Sequence, residues 1–126
     1  MLVRCKETFG HQITEGNVYL VIEVTIRLFN SSILVRIVDN EGYPAIYDFE
    51  QFEIVSNEYI NGAILLDEEV CKLSHKDILN SSLNMKHIEG FWGCFIDDDV
   101  EAVKILNNVV KELSVYDHIK TPKINS

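Results

Sequence analysis

Between Arg36 and Lys72 the chain has no lysine, arginine or histidine, yet it carries nine carboxylates there: Asp39, Glu41, Asp48, Glu50, Glu53, Glu58, Asp67, Glu68 and Glu69. Basic residues are missing again between His87 and Lys104, where Glu89, Asp97, Asp98, Asp99 and Glu101 lie. Surfaces of one negative sign repel nucleic acid and anionic membranes, so neither is expected as a partner. A membrane-crossing run is missing too. The longest apolar stretch, Val18 to Phe29, is broken by Glu23, Thr25 and Arg27 and falls short of the roughly 20 residues a span requires. The first residues, MLVRCKETFG, lack the hydrophobic centre and small-residue cleavage site of a signal peptide. Three cysteines, Cys5, Cys71 and Cys94, are an odd number in a chain large enough to fold without staples. Reduced thiols and a cytoplasmic location are the expectation.

Chemical motifs are equally scarce. G-x-S-x-G, H-E-x-x-H, a glycine-rich phosphate loop and a Walker lysine are all absent, so no enzyme class is indicated and no cofactor is expected. Cys71, His75, His87 and Cys94 could in principle supply four zinc ligands, but structural zinc sites use closely paired cysteines, which are missing. Asp97-Asp98-Asp99 could attract a divalent cation. Calcium loops, however, alternate their ligands around a central glycine, and three successive aspartates before a helix fit a helix cap better. Ser74 beside His75 is adjacency in sequence, not a nucleophile meeting a base in space. The four histidines, His11, His75, His87 and His118, are scattered and read as surface or boundary residues.

What is present is a globular composition: 126 residues, 47% hydrophobic and 25% charged, with a net charge of −9. That length suits a single domain. Residues 1–56 hold four basic and eight acidic groups, and residues 57–126 seven and twelve. The acidity belongs to the whole chain rather than to a tail.

The first half reads as β structure. Leu2 to Cys5 is a short apolar segment. In Val18 to Leu28, Val24, Ile26 and Leu28 alternate with Glu23, Thr25 and Arg27, the period of a half-buried strand. Ile33 to Val38 follows, then the hairpin signal Asp39-Asn40-Glu41-Gly42. Pro44 to Tyr47 suits an edge strand, Asp48 to Gln51 a single helical turn, and Phe52 to Val55 a closing strand. Tyr19, Val21, Val35, Ile37 and Phe52 are the expected interior. Residues 57–90 are weakly patterned, with one further strand or hairpin possible through Asn61-Gly62 and one helical turn at Lys76 to Leu79. Residues 91–117 read as helical: Asp98 and Glu101 resemble a capping box, and Val103, Leu106, Val110 and Leu113 form an apolar stripe. Lys120 to Ser126 should fray. Phe91, Trp92 and Phe95 read first as core that anchors the helix, second as an interface anchor.

The segments ITEGNVYLVIEV and ILVRIVDNEGYPAIYDFEQFEIVS resemble SH3-like barrel proteins. The expected fold is therefore α+β, a small SH3-like antiparallel β-barrel of about five strands followed by a C-terminal helical segment packed on it. Over its whole length, with F-W-x-x-F, an acidic run and E-A-x-x-I-L after that half, the chain resembles small immunity proteins of bacterial contact-dependent and polymorphic toxin systems. The resemblance implies an inhibitor that binds and neutralises a cognate, basic toxin domain such as a nuclease. The charge agrees independently, because an acidic surface speeds the search for a cationic target. Expected partner-binding residues are Tyr43, Tyr47, Glu50, Glu53, Asp67, Glu68, Asp97 and Asp99. The alternative is an SH3-like adaptor in which Tyr43 and Tyr47 contribute to a peptide groove, although the paired tryptophans of such grooves are absent. A small hydrolase would require a site formed only in three dimensions.

Overall fold

The apolar run after Gly16 becomes the strand on which the rest of the molecule is built. In the computed structural model, which describes residues 1–117, β1 (Leu2–Cys5) and the long β2 (Val18–Arg27) are followed by β3 (Ile33–Val38), β4 (Pro44–Asp48), β5 (Phe52–Ser56), β6 (Gly62–Leu66) and β7 (Val70–His75). Three helices, α1 (Lys76–Leu79), α2 (Gly90–Ile96) and α3 (Val100–Tyr116), come last. All strand pairs are antiparallel. The fold is α+β: a seven-stranded sheet with helices from the C-terminal part of the chain.

The strand path runs β4-β3-β2-β1-β5, with β7 also on β2 and β6 outside β7. The sheet is open among the described residues: no ladder joins β4 to β5, where a closed five-stranded barrel would need one. The weakly patterned middle of the chain supplies a hairpin, β6–β7, whose turn lies at Asp67-Glu68-Glu69 rather than at Asn61-Gly62. β7 pairs along the second half of β2, from Glu23 opposite Ser74 to Arg27 opposite Val70.

Local chemistry explains the turns. Asp39 accepts hydrogen bonds from the backbone N–H of Glu41 (2.9 Å) and Tyr43 (3.0 Å), and Gly42 takes the positive φ of 72° that closes the β3–β4 hairpin. Pro44 is the first residue of the edge strand β4, where its missing donor costs little. Asp48 caps a 3-10 turn over Phe49–Gln51 by accepting from Glu50 N.

β2 carries an extra residue against β3, its register shifting between Val21 and Glu23. Such a bulge bends a strand and sharpens its twist. Residues 19–23 are buried on both faces. Tyr19 and Val21 join Val3, Cys5, Ile13, Val35, Ile37 and Phe52 in one cluster, which contains all five residues expected in the interior. Leu20 and Ile22 join Val38, Phe91, Trp92, Phe95, Leu106, Val110 and Leu113 in the other, under the helices. Each fully buried large apolar side chain there contributes about 1.5–3 kcal/mol.

α3 follows the expected stripe: Leu106, Val110 and Leu113 are buried and Val103 is half-buried. Its cap differs from the expectation. Asp99, not Asp98, accepts from Glu101 N and Ala102 N, while Asp98 takes the left-handed φ of 59° between α2 and α3. The expected fraying of Lys120 to Ser126 lies outside the described residues.

Candidate functional site

The eight residues expected to meet a partner are spread over four regions. Tyr43 packs on Phe95 of α2, ring centres 5.9 Å apart, on the helix side of the sheet. Tyr47 packs on Phe52 at 6.0 Å, against the other cluster. The two tyrosines therefore do not meet. Burial, and then the nearby Asp39, push the Tyr47 phenol up to about 12, so it stays protonated at neutral pH.

Several of the acids are already engaged. Glu53 pairs with Arg4 across the sheet at 3.3 Å. Asp97 meets His87 at 3.1 Å. Asp99 binds Lys86 at 2.6 Å while capping α3, and that ammonium, with the Ala102 N–H next, holds its carboxyl below the ordinary range. Asp67 closes the β6–β7 turn by accepting from Glu69 N (2.7 Å) and Val70 N (2.8 Å). These bonds, that to Val70 foremost, likewise lower its pKa. Among the described residues, the carboxylates of Glu50 and Glu68 make no ion pair or side-chain hydrogen bond.

One polar cluster escaped sequence reasoning. Alternation puts Glu23 opposite the apolar face of its strand, yet it is only 4% exposed. Its carboxylate accepts from the Trp92 indole N–H at 3.1 Å and lies 3.5 Å from the Lys72 ammonium. Cross-strand from it is Arg36, whose guanidinium stacks over the Trp92 ring and donates to the Pro44 carbonyl at 3.1 Å. Burial pushes the Arg36 pKa down, and Glu23 opposes that shift. The two cations that bound the long basic-free window thus flank one buried acid: Lys72 pairs with it, and Arg36 stands opposite it in the ladder. The adjoining hollow, lined by Glu23, Thr25, Arg36, Ile46 and Lys72, has about 200 Å³, below the roughly 300 Å³ at which small-molecule pockets begin.

His75 is also a correction to the sequence reading: it is fully buried. Its Nδ1 accepts from the Asp77 N–H at 3.1 Å and so caps α1. Its Nε2 lies 3.1 Å from Glu112, which also accepts from the Asn61 side chain. His75, Asp77 and Glu112 are the one group of metal-capable side chains close enough to share an ion among the described residues. Both ring nitrogens are already committed to protein partners, so the trio reads as a link between β7, α1 and α3. Cys71, His87 and Cys94 do not join it. Among the described residues no serine or cysteine side chain is hydrogen-bonded to a histidine.

The most exposed apolar feature of the sheet is β6. Ile64 is 71% exposed, Leu65 47% and Leu66 69%, and the acidic turn Asp67-Glu68-Glu69 follows directly. β6 pairs with β7 on one side only. Comparison with known proteins adds no relative: no family model matches the chain, and neither a curated protein nor a solved structure matches it significantly.

Proposed function

We propose that this chain is an inhibitory binding protein of the toxin-immunity kind, which neutralises a basic toxin domain such as a nuclease in the cytoplasm of the cell that makes it. The observation that carries this reading is the juxtaposition on β6: three large aliphatic side chains open to solvent, followed at once by three carboxylates, in a chain of net charge −9. An apolar centre with a charged rim is the anatomy of a protein-binding patch, and the sign of the rim selects a cationic partner and speeds its capture. The order of the first five strands, with a 3-10 turn before the fifth, supports an SH3-like ancestry for residues 1–56. An adaptor with a peptide groove is less well supported, because Tyr43 and Tyr47 pack against different clusters.

Co-expression with the product of the gene immediately upstream tests the proposal. The expected result is that the upstream product is toxic alone, that this chain restores growth, and that the purified pair forms an equimolar complex whose association slows as salt rises. An upstream product that is harmless, or one whose toxicity this chain leaves unchanged, would overturn the reading.

A further inference from the structure

We infer that the free edge of β6 captures its partner by strand addition: an extended segment with an aliphatic centre and lysine or arginine at its ends pairs, backbone to backbone, along Gly62–Leu66. The inference deepens the proposal above and rests on its reading that the partner is basic.

The register identifies which groups are available. Asp67 N donates to Val70 O at 3.0 Å, and Lys76 N donates to Asn61 O at 2.8 Å. In an antiparallel ladder hydrogen-bonded positions alternate, so Asn61, Ala63, Leu65 and Asp67 turn their backbone groups toward β7. Gly62, Ile64 and Leu66 turn theirs outward, toward an edge that no strand covers. These outward groups form a template for another strand.

Protective devices are missing from this edge. Exposed edges are ordinarily blunted by proline, charge or a bulge. The edge strand β4 starts with Pro44 and ends with Asp48, and β5 carries Glu53. β6 reads Gly-Ala-Ile-Leu-Leu, without charge or proline, and its pairing with β7 has no register shift.

Charge decides the occupant. Asp67, Glu68 and Glu69 stand at one end of the edge. At the other, Gly62 lies opposite His75, which contacts Asp77 at 3.7 Å and Glu112 at 3.1 Å, with Lys76 and Lys111 next to these acids in the chain. A second copy paired antiparallel about Ile64 would set the acidic turn of each chain beside the Asp77 and Glu112 end of the other. Two chains of net charge −9 would then meet acid to acid. A strand with cationic ends meets the three carboxylates of the turn at one end and Asp77 and Glu112 near the other.

A synthetic peptide with a Val-Thr-Val-Thr-Val centre and two lysines at each end serves as the probe, with the whole chain as receptor. The expected result is binding that weakens with salt, accompanied by slowed amide exchange at Gly62, Ile64 and Leu66. Ile64→Pro removes an outward N–H without deleting a β6–β7 hydrogen bond, and should weaken binding about tenfold or more. A peptide with glutamates in place of its lysines should not bind. Protection of other amides, or equal binding by a folded I64P variant, would overturn the inference. Should I64P fail to fold, the amide pattern in the unaltered chain decides alone. A concentration-dependent dimer that protects the same three amides would overturn it in favour of a second copy. Toxin neutralisation that survives in I64P would remove the edge as the docking site and leave the inhibitor reading standing.

Discussion

The Arg36 guanidinium lies 3.9 Å from the centre of the Trp92 ring, stacked on the aromatic whose N–H is donated to Glu23. This arrangement makes α2 and the sheet one electrostatic unit. Arg36 comes from β3, Trp92 from α2 and Glu23 from β2, and Lys72 of β7 completes the set. A cation over an aromatic face contributes more as it is desolvated, and Glu23, cross-strand from Arg36, partly offsets the cost of that desolvation.

Replacing Glu23 with Leu should therefore destabilise the fold by about 1–3 kcal/mol, because the buried Trp92 N–H loses its acceptor and Lys72 and the half-buried Arg36 lose a nearby counter-charge. The double change Glu23→Leu with Arg36→Leu should recover part of that loss, since Arg36 then no longer lacks the acid, while Trp92 and Lys72 still do. Urea unfolding followed by the fluorescence of Trp92, the sole tryptophan, measures both. Additive effects of the two single changes would show that the groups are not coupled.

Leu106 is fully buried between α3 and the sheet. Its replacement by Ala should cost about 2–5 kcal/mol. An unfolding free energy unchanged from the parent would mean that α3 does not depend on this contact.

Asp99 should govern part of the acid limb of stability. Its carboxyl pKa is lowered in the folded chain by Lys86 and by the backbone N–H groups it caps. The stabilisation is therefore complete above the unfolded value of about 3.9. It is lost as pH falls through the lower, folded value. Asp99→Asn keeps a capping oxygen but cannot titrate, so the stability curve should fall less steeply on acidification. An unaltered acid limb in urea titrations between neutral and acidic pH would sink this assignment.

Charge reversal separates rim electrostatics from folding. Glu50→Lys and Glu68→Lys change carboxylates with no partner within the described chain, and should leave thermal unfolding nearly unchanged. If either lies at the interface, association with a basic partner slows and its salt dependence flattens. Reversal at Asp67 or Asp99 instead removes a turn or helix cap, so these changes should lower stability as well. Stopped-flow association paired with thermal melts distinguishes the two classes.

The legible features of the sequence were local ones. Alternation from Val24 to Leu28, the Asp39–Gly42 turn and the single turn at Phe49–Gln51 each depend on residues close in sequence. β7 was hidden because Val70–His75 mixes Lys72, Ser74 and His75 with apolar residues, and the partners of Lys72 and His75 include Glu23 and Glu112, distant in sequence. The burial of Glu23 was invisible for the same reason: alternation places it on a face, but only α2, arriving from far along the chain, covers that face. Acidic windows gave the sign of the net charge. They could not show which carboxylates would be spent on caps and turns.

The late partner of β2 constrains how the molecule can be made. Glu23 waits for Ser74, and Arg27 for Val70, so half of the central strand keeps an open flank until synthesis has passed His75. A nascent chain that has released only its first five strands holds a bent, aliphatic ribbon with nothing along that flank. Long-range pairings of this kind slow folding and leave intermediates prone to stick to one another. Emergence of β7 from the ribosome thus closes that flank, and the face of Leu20 and Ile22 is covered only when α2 and α3 follow, so a chain stalled before β7 should be less soluble than one stalled after it.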